Sequence, residues 1–324
     1  MTYTLHRIIA LLLLLPLVFA AACGDDEGDA DGVDPTREAS ATAPSQALFP
    51  YDILRSDEKT LRLEKPAERI ISLSPGATEI IYAIGGEDAL VAVDNQADFP
   101  PAVGALAGRV DAYEPSIEAI AAFEPDLVVV ATDIGELVAA LDRLSIPVLF
   151  IDINTDVLTI EDVIEQIPMF GRITGRDAAA ADLVESLEAR VAAIDERAAA
   201  IAAGPSVYHE LDSLFFTAAE GSFIGNLYTR LKIKNIAGDG GGSPYPQLTQ
   251  EAIISANPQF IVLADEEFGV TIESVKARPG WDAIDAVKND QIFVIDPDII
   301  SRPGPRIVDA LEMLAEALLP QVSS

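Results

Sequence analysis

Short apolar runs alternate with amphipathic stretches along most of this chain. The runs are rich in β-branched residues and predict strands over Arg69–Leu73, Leu90–Asp94, Asp126–Ala131, Pro147–Asp152, Ser206–Leu211, Gln259–Ala264 and Gln291–Asp296. The stretches between and after them predict helices over Ala77–Ile84, Ile117–Phe123, Ile134–Leu144 and Arg306–Leu318. Nearly continuous apolar strands separated by helices favour parallel sheets that are covered on both faces.

A single long helix is predicted between the two halves, over Asp177–Ala203. Its apolar positions recur every three or four residues and share one face: Leu183, Leu187, Val191, Ile194, Ala198 and Ile201. Asp177 is expected to act as the N-cap, and Gly204–Pro205 as the stop signal. At 1.5 Å per residue the helix spans about 40 Å, so we expect a rigid connection.

An internal repeat relates the two halves. SIEAIAAFEPDLVVVATD at 116–133 aligns with TQEAIISANPQFIVLADE at 249–266 at a constant offset of 133. Each copy reads as a short helix, a turn with proline and a buried strand that ends in an acid. We therefore predict an α/β fold with two Rossmann-like lobes joined by the long helix, and a ligand cleft between the lobes at the carboxyl ends of their strands.

The N-terminus has the pattern of a secretory signal. An apolar run at 8–22 ends in three alanines and is followed by Cys23, which resembles the lipidated cysteine of bacterial lipoproteins. Residues 24–48 are rich in Gly, Asp, Ala, Ser and Pro and indicate a disordered acidic linker. The predicted organisation is a signal peptide at 1–22, a lipidated Cys with its linker at 23–48, an N-terminal lobe at 49–175, a connecting helix at 176–204 and a C-terminal lobe at 205–324.

Composition excludes several classes of function. Lys and Arg number 21 against 53 Asp and Glu, which gives a net charge of -32 and argues against nucleic acid as a partner. One Cys and two His leave no material for a disulfide, an iron–sulfur cluster or a His-rich metal site. No acid–base constellation stands out, so we expect no enzyme activity, no bound metal and no cofactor.

A family resemblance covers residues 66–319. The segments that carry it are PAERIISLSPGATEIIYAIG, DFPP, SIEAIAAFEPDLVVVATD, LFFTAAEGSFIGNLY, YPQLTQEAI, RPGWDAIDAV and SRPGPRIVDALE. In this order they resemble the helical-backbone (class III) substrate-binding proteins of ABC importers for vitamin B12, iron siderophores and haem. The resemblance implies an extracytoplasmic, lipid-anchored monomer that passes a metal chelate to a permease dimer with its ATPase. It also implies that Glu118 and Glu251, which match in the repeat, dock on the permease.

The loops after the strands supply the candidate ligand-binding residues. In the first lobe these are Ser74, Pro75, Gln96, Asp98, Tyr113, Thr132 and Asp133. In the second lobe they are Asp212, Ser213, Tyr245, Pro246, Asp265, Asp298 and Arg302. Tyr113 and Tyr245 precede the two repeat copies at similar distances and are expected at the mouth of the cleft, since tyrosine offers an apolar ring with a polar tip.

Charge narrows the expected ligand without identifying it. The candidate residues are mostly acidic, with Arg302 as their main cation and Arg109 and Arg306 expected nearby, so a neutral or cationic chelate such as a corrinoid or a ferric hydroxamate is favoured. The alternatives are a haem binder with an axial Tyr113, Tyr245 or His209, a binder of free zinc or manganese, and an enzyme of the nitrogenase-like fold. The last two lack the His or Cys residues that they need.

Overall fold

The computed structural model of the protein describes residues 48–153 and 158–319. Cys23, with its predicted signal peptide and linker, lies outside the described residues. No helix in the described ranges combines the length and the apolar character needed to cross a membrane.

The described chain begins with an antiparallel hairpin that the sequence patterns did not predict. Strand β1 (Tyr51–Leu54) pairs with strand β2 (Thr60–Leu63). Arg55 follows β1 and is nearly buried, where its guanidinium contacts Asp57 and also Asp142, each at 2.7 Å. Because Asp142 belongs to the first α/β lobe, this pair fixes the hairpin to that lobe.

The first lobe is built on a parallel sheet of five strands in the described residues, in the order β5-β4-β3-β6-β7. Its strands are β3 (Ile70–Leu73), β4 (Leu90–Asp94), β5 (Arg109–Val110), β6 (Leu127–Val130) and β7 (Val148–Phe150). Its helices are α1 (Pro75–Ala83), α2 (Ile117–Ala122) and α3 (Leu137–Arg143). β3 and β6 are buried at every position, which explains their uninterrupted apolar sequence.

Two helices lead out of the first lobe and pack against each other. Helix α4 (Ile160–Thr174) ends at Gly175 in a left-handed conformation, and helix α5 (Asp177–Ala199) is the predicted connecting helix, four residues shorter than expected. Asp177 is its first residue instead of its N-cap, because the carboxylate pairs with Arg172 of α4 at 2.6 Å. The predicted lobe boundaries on either side of α5 stay a prediction.

The second lobe repeats the construction with a four-stranded parallel sheet in the described residues, in the order β11-β10-β8-β9. Its strands are β8 (Ser206–Glu210), β9 (Lys234–Asn235), β10 (Phe260–Leu263) and β11 (Ile292–Val294). Its helices are α6 (Phe223–Arg230), α7 (Gln250–Ala256), α8 (Ile272–Lys276), α9 (Asp285–Lys288), α10 (Pro297–Ile300) and α11 (Ile307–Leu318). Helix α11 packs on α5, where Arg190 bridges Asp309 and Glu312 at 2.5 and 2.6 Å.

The internal repeat has the same local structure in both copies. Ser116 caps α2 by accepting a hydrogen bond from the Ala119 amide at 3.2 Å, and Thr249 caps α7 by accepting one from the Ala252 amide at the same distance. β6 lies beside β3 in the first sheet, and β10 lies beside β8 in the second. The two sheets and their helices confirm the predicted α/β fold.

Candidate ligand cleft

A cavity of about 160 Å³ lies at the carboxyl ends of β3 and β6. These neighbouring strands form the switch point of the first sheet, because β3 pairs with β4 on its other side and β6 pairs with β7. Open α/β sheets bind ligands at such a point. The described lining residues come from the loops after the strands and from the segment before α11: Leu73, Ser74, Pro75, Gly76, Asp94, Ala112, Tyr113, Ala131, Thr132, Ile134, Leu137, Ile153, Ser301, Arg302 and Pro303.

The first wall of the cavity is the start of α1. Ser74 is the N-cap, and its Oγ accepts a hydrogen bond from the Ala77 amide at 3.2 Å while Pro75 occupies the first helical position. Gly76 lets the second lobe approach closely, since a Cβ at this position would lie 2.4 Å from the Pro303 carbonyl oxygen. Ser74 and Pro75 were predicted to contact the ligand, and both line the cavity. Gly76 also lines it but was not among the predicted residues.

The loop after β4 is held by Arg109. Its guanidinium donates hydrogen bonds to the carbonyl oxygens of Asp94, Ala97 and Val103 at 3.1, 2.6 and 3.0 Å. Arg109 was expected to be a cation near the cleft, but these three carbonyls make it a support for the loop that carries Gln96 and Asp98.

Arg302 of the second lobe reaches across to that loop. One terminal nitrogen lies 2.6 Å from a carboxylate oxygen of Asp98, and the other donates to the Gln96 carbonyl at 3.0 Å. The second nitrogen also lies 2.6 Å from Asp298 on α10. Burial raises the pKa of Asp98, but the hydrogen bond and the positive charge of Arg302 together outweigh burial and lower that pKa below its ordinary value. At Asp298 burial dominates, and the pKa is raised despite Arg302.

A second arginine joins the lobes beside Arg302. Arg306 forms a bidentate pair with Glu79 of α1, with distances of 3.0 and 2.6 Å. Glu79 is nearly buried, and the Arg306 guanidinium also lies over the Phe99 ring, 4.0 Å from its centroid. Glu79 was not among the predicted residues, although it lies within the segment SPGATEII that carries the resemblance.

Aromatic and apolar side chains are exposed on the loops that follow the strands. Tyr113 is 67% exposed and lines the cavity, and Tyr245 is 43% exposed on a loop of the second lobe. Phe99, Leu214 and Phe268 are further exposed apolar residues on loops that follow β4, β8 and β10. These three were not among the predicted residues.

Nine of the fourteen predicted residues lie outside the cavity lining, and four of these shape or occupy loops away from it. Asp133 accepts a hydrogen bond at 2.9 Å from the Val138 amide in the first turn of α3. Asp212 accepts from the amides of Leu214 and Phe216, at 2.9 and 3.2 Å, and so shapes its own turn. Ser213 is exposed, and the Pro246 carbonyl accepts from the Thr217 amide at 3.0 Å. Thr132 does line the cavity.

Asp265 is inside the second lobe, which corrects its expected place on the cleft surface. It is 0% exposed, and neither carboxylate oxygen accepts a hydrogen bond from a described residue. Burial and, to a smaller extent, the neighbouring Glu210 carboxylate raise its pKa to about 7. Glu210 is also fully buried and forms a bidentate pair with Arg278, whose guanidinium lies 4.5 Å from the Trp281 ring centroid.

His209 is equally remote from the cleft surface. It is 0% exposed, its Nδ1 lies 2.7 Å from the Tyr228 hydroxyl, and burial lowers its pKa to about 3. It is therefore a neutral core residue instead of a haem ligand at the cleft. Across residues 48–153 and 158–319, no group of three or more His, Cys, Asp or Glu side chains is placed to hold a metal ion.

Glu118 and Glu251 occupy equivalent places in the two lobes. Each lies in the first turn of its helix, two residues after the Ser116 or Thr249 cap, and each is exposed. A carboxylate is favoured at this end of a helix by the helix dipole, so the position alone accounts for an acid there.

Two α/β lobes, with a cavity at strand ends of the first lobe that Arg302 and Pro303 of the second lobe also line, define a two-lobed ligand-binding protein. The periplasmic binding protein family matches residues 70–299. The chain belongs to this family. An ABC transporter substrate-binding lipoprotein of Bacillus subtilis, YvrC, is 30% identical over 319 residues, or 95% of each chain.

Solved structures agree with this assignment. The periplasmic vitamin B12 binding protein BtuF of Vibrio cholerae has a TM-score of 0.66 and 28% identity, and the match covers 78% of this chain and 96% of that chain. A protein of an ABC-type Fe3+-hydroxamate transport system from Saccharomonospora viridis has a TM-score of 0.66 and 26% identity, with coverage of 83% and 99%. The predicted family and two-lobed fold are thus confirmed.

Proposed function

We propose that the protein is the substrate-binding lipoprotein of an ABC importer and that it captures a metal chelate, either a corrinoid or a ferric siderophore. Family membership and the names of the B12-binding and Fe3+-hydroxamate relatives support this proposal. The observation that carries it is the cavity at the switch point, which residues of both lobes line. The protein carries out no covalent chemistry in this proposal, and it acts as a monomer.

The size of the cavity favours a ligand that extends beyond it. Pockets that enclose a drug-sized ligand have volumes of about 300–1,000 Å³, and this cavity has about 160 Å³. A chelate of either class would place one end among Ser74, Thr132 and Arg302. Its larger apolar face would lie on Tyr113 and Tyr245, whose rings are exposed.

The site residues are proposed with this division of roles. Ser74, Pro75, Tyr113, Thr132 and Arg302 contact the ligand at the cavity. The other predicted residues near the strand ends support their loops or the rim of the cleft: Gln96, Asp98, Asp133, Asp212, Ser213, Tyr245, Pro246 and Asp298. Asp265 is left out because it is buried.

Anchoring and docking complete the proposal. Acylation of Cys23 would hold the protein on the extracytoplasmic face of the membrane, since two or three acyl chains anchor stably. The permease would be met through Glu118 and Glu251, whose symmetric exposure on the two lobes suits a homodimeric partner with its ATPase.

A ligand screen by thermal unfolding tests the chelate proposal. The protein is heated with cyanocobalamin, with a ferric trihydroxamate, with a ferric catecholate and with haem. A ligand at 100 times its dissociation constant adds about 2.7 kcal/mol of stability. Stabilisation by a corrinoid or a hydroxamate supports the proposal, whereas a protein that none of these chelates stabilises contradicts it.

Haem is the second candidate, because Tyr113 and Tyr245 are exposed and either phenolate can serve as an axial ligand. Haem ligation by tyrosine changes the visible spectrum of the iron. Loss of that spectrum in Tyr113→Phe or in Tyr245→Phe would identify that tyrosine as the axial ligand of the iron. A haem spectrum that survives both substitutions would exclude ligation by either tyrosine.

A further inference from the structure

Arg302 is the cation among the described residues that line the cavity. Its guanidinium has no terminal nitrogen without a partner, since one nitrogen pairs with Asp98 and the other with Asp298 and the Gln96 carbonyl. The charge-assisted hydrogen bond to Asp98 has a length of 2.6 Å, and the ion pair with Asp298 has the same distance, so both contacts are strong. A carboxylate or phosphate of a ligand could bind Arg302 only by displacing one of them.

The neighbouring Arg306 is no substitute receptor for an anion. Its guanidinium is occupied by the bidentate pair with Glu79 and covered on one face by Phe99. Glu79 also lies 3.7 Å from Arg302. The side chains of both arginines are only 13% exposed.

The charged side chains around Arg302 carry a net negative charge, which does not favour an anionic ligand. Two arginines stand against Glu79, Asp98 and Asp298, which leaves one negative charge in excess beside the cavity. These three acids differ in exposure. Glu79 is 3% exposed and Asp298 is 34% exposed, but Asp98 is 64% exposed and is therefore the easiest to displace.

We propose that Asp98 and Asp298 are internal counterions of Arg302 that make the cleft discriminate against chelates with an anionic group, and that Asp98 determines this specificity. The inference rests on the proposed function and deepens it. An anionic group at Arg302 must remove Asp98 from its partner and then remain close to an uncompensated carboxylate. A neutral or cationic chelate need not displace Asp98 and is not repelled by a free carboxylate.

Two ligand pairs that differ in charge at one group test the discrimination. One pair is a corrinoid and the same corrinoid with one peripheral amide hydrolysed to a carboxylate. The other is a ferric trihydroxamate with an ammonium end and its succinylated derivative. Dissociation constants are measured by calorimetry for the full-length wild-type protein, for Asp98→Asn and for Asp88→Asn. Asp88 is a matched control, because it is exposed and lies before the amino end of β4, whereas Asp98 follows the carboxyl end of that strand.

We expect the wild type to prefer the member of each pair without the carboxylate. Because an opposite charge within a few ångströms changes a carboxylate equilibrium by about 10-fold or more, Asp98→Asn should reduce the preference by about that factor. Asp88→Asn should keep it, although it removes the same charge from the chain. An unchanged preference in Asp98→Asn, or an equal loss in Asp88→Asn, overturns the proposal.

A ligand-free measurement separates this inference from the proposed function. Thermal midpoints of Asp98→Asn, Arg302→Gln and the double variant form a cycle that measures the coupling of the pair. Non-additive midpoints support the counterion pair, and additive midpoints overturn it. If the wild type binds none of the four chelates, the proposed function fails, and the cycle still decides whether Asp98 neutralises Arg302.

Discussion

Replacing the buried Asp265 by asparagine should change how the stability of the second lobe depends on pH. The carboxyl group is fully buried beside Glu210, and its pKa is raised from 3.8 to about 7. Between these values the folded protein keeps a proton that the unfolded chain releases. The contribution of Asp265 to stability is therefore greatest at low pH within this window and is lost as the pH rises through about 7.

The size of the effect follows from the shift. One pKa unit corresponds to about 1.4 kcal/mol, so Asp265 should remove about 2–3 kcal/mol of unfolding free energy between pH 5 and pH 8. His209 opposes this loss, because burial lowers its pKa from 6.5 to about 3 and only the unfolded chain takes up a proton below about pH 6.5. Its contribution to stability therefore rises by about 2 kcal/mol over the same range. The Asp265→Asn variant has an amide that can donate to Glu210 and carries no titrating group there. Its stability should therefore rise by about 2 kcal/mol from pH 5 to pH 8, whereas the stability of the wild type should change by less than about 1 kcal/mol.

Urea unfolding at pH 5, 6, 7 and 8 measures this difference. The fluorescence of Trp281, the single tryptophan, reports on the second lobe because the ring is buried there against Arg278. Asp282→Asn is the control, since it removes an exposed acid next to the same tryptophan. Equal pH dependence in wild type and Asp265→Asn would refute the account in which buried Asp265 keeps a proton in the folded protein.

Three further predictions concern anchoring, ligand contact and docking. Cys23→Ala should release the protein from the membrane fraction or block its processing, and unchanged membrane association would contradict lipidation. Tyr113→Ala and Tyr245→Ala should each weaken binding of the cognate chelate by about 1–3 kcal/mol, since each removes an aromatic anchor. Tyr→Phe at either position should retain most of the affinity for a corrinoid or siderophore. The double change Glu118→Ala with Glu251→Ala should lower transport and ligand-stimulated ATPase activity while chelate affinity is kept. Glu273→Ala, in the same helical position of α8, should leave transport unchanged.

The secondary structure around the cleft was predictable because its strands are buried on both faces. Leu90–Asp94 was placed without error, and the other predicted strands differ from the structure by one or two residues at their ends. The hairpin β1–β2 was missed because each strand has only four residues, and much of it is exposed. Helix α4 was also missed, and Pro168 in its interior interrupts the sequence signal.

The buried position of Asp265 could have been found in the sequence. Ile261 and Leu263 of β10 belong to the apolar cluster around Trp281, and Asp265 follows them with the period of two that places side chains on one face of a strand. The prediction gave more weight to the general rule that acids at strand ends face a ligand. Here the alternation of the strand continued one residue beyond its hydrogen-bonded end.

The ion pairs that join the lobes could not be predicted from the sequence. Asp98 and Arg302 are separated by 204 positions, and Glu79 and Arg306 by 227. In a chain with 53 acids, every arginine has many candidate partners. Only the packing of Gly76 against Pro303, which brings the segment before α11 onto α1, selects these two.

Several acids near the cleft are engaged in contacts within the protein, so their number overstates how many free carboxylates a ligand meets. Asp133 accepts an amide hydrogen bond at the start of a helix, Asp212 shapes a turn, and Asp98 and Asp298 neutralise an arginine. A ligand therefore meets hydroxyl groups, carbonyl groups and exposed rings more than free carboxylates.

Discrimination against anions then depends on local pairing with Arg302 instead of on the net charge of -32. Long-range repulsion is screened beyond about 10 Å at 0.1 M salt, whereas partly buried pairs are screened much less. We expect the preference for an uncharged chelate over its carboxylate derivative to change less than about threefold between 0.05 and 0.5 M salt. A preference that disappears at high salt would assign the discrimination to the overall charge of the protein.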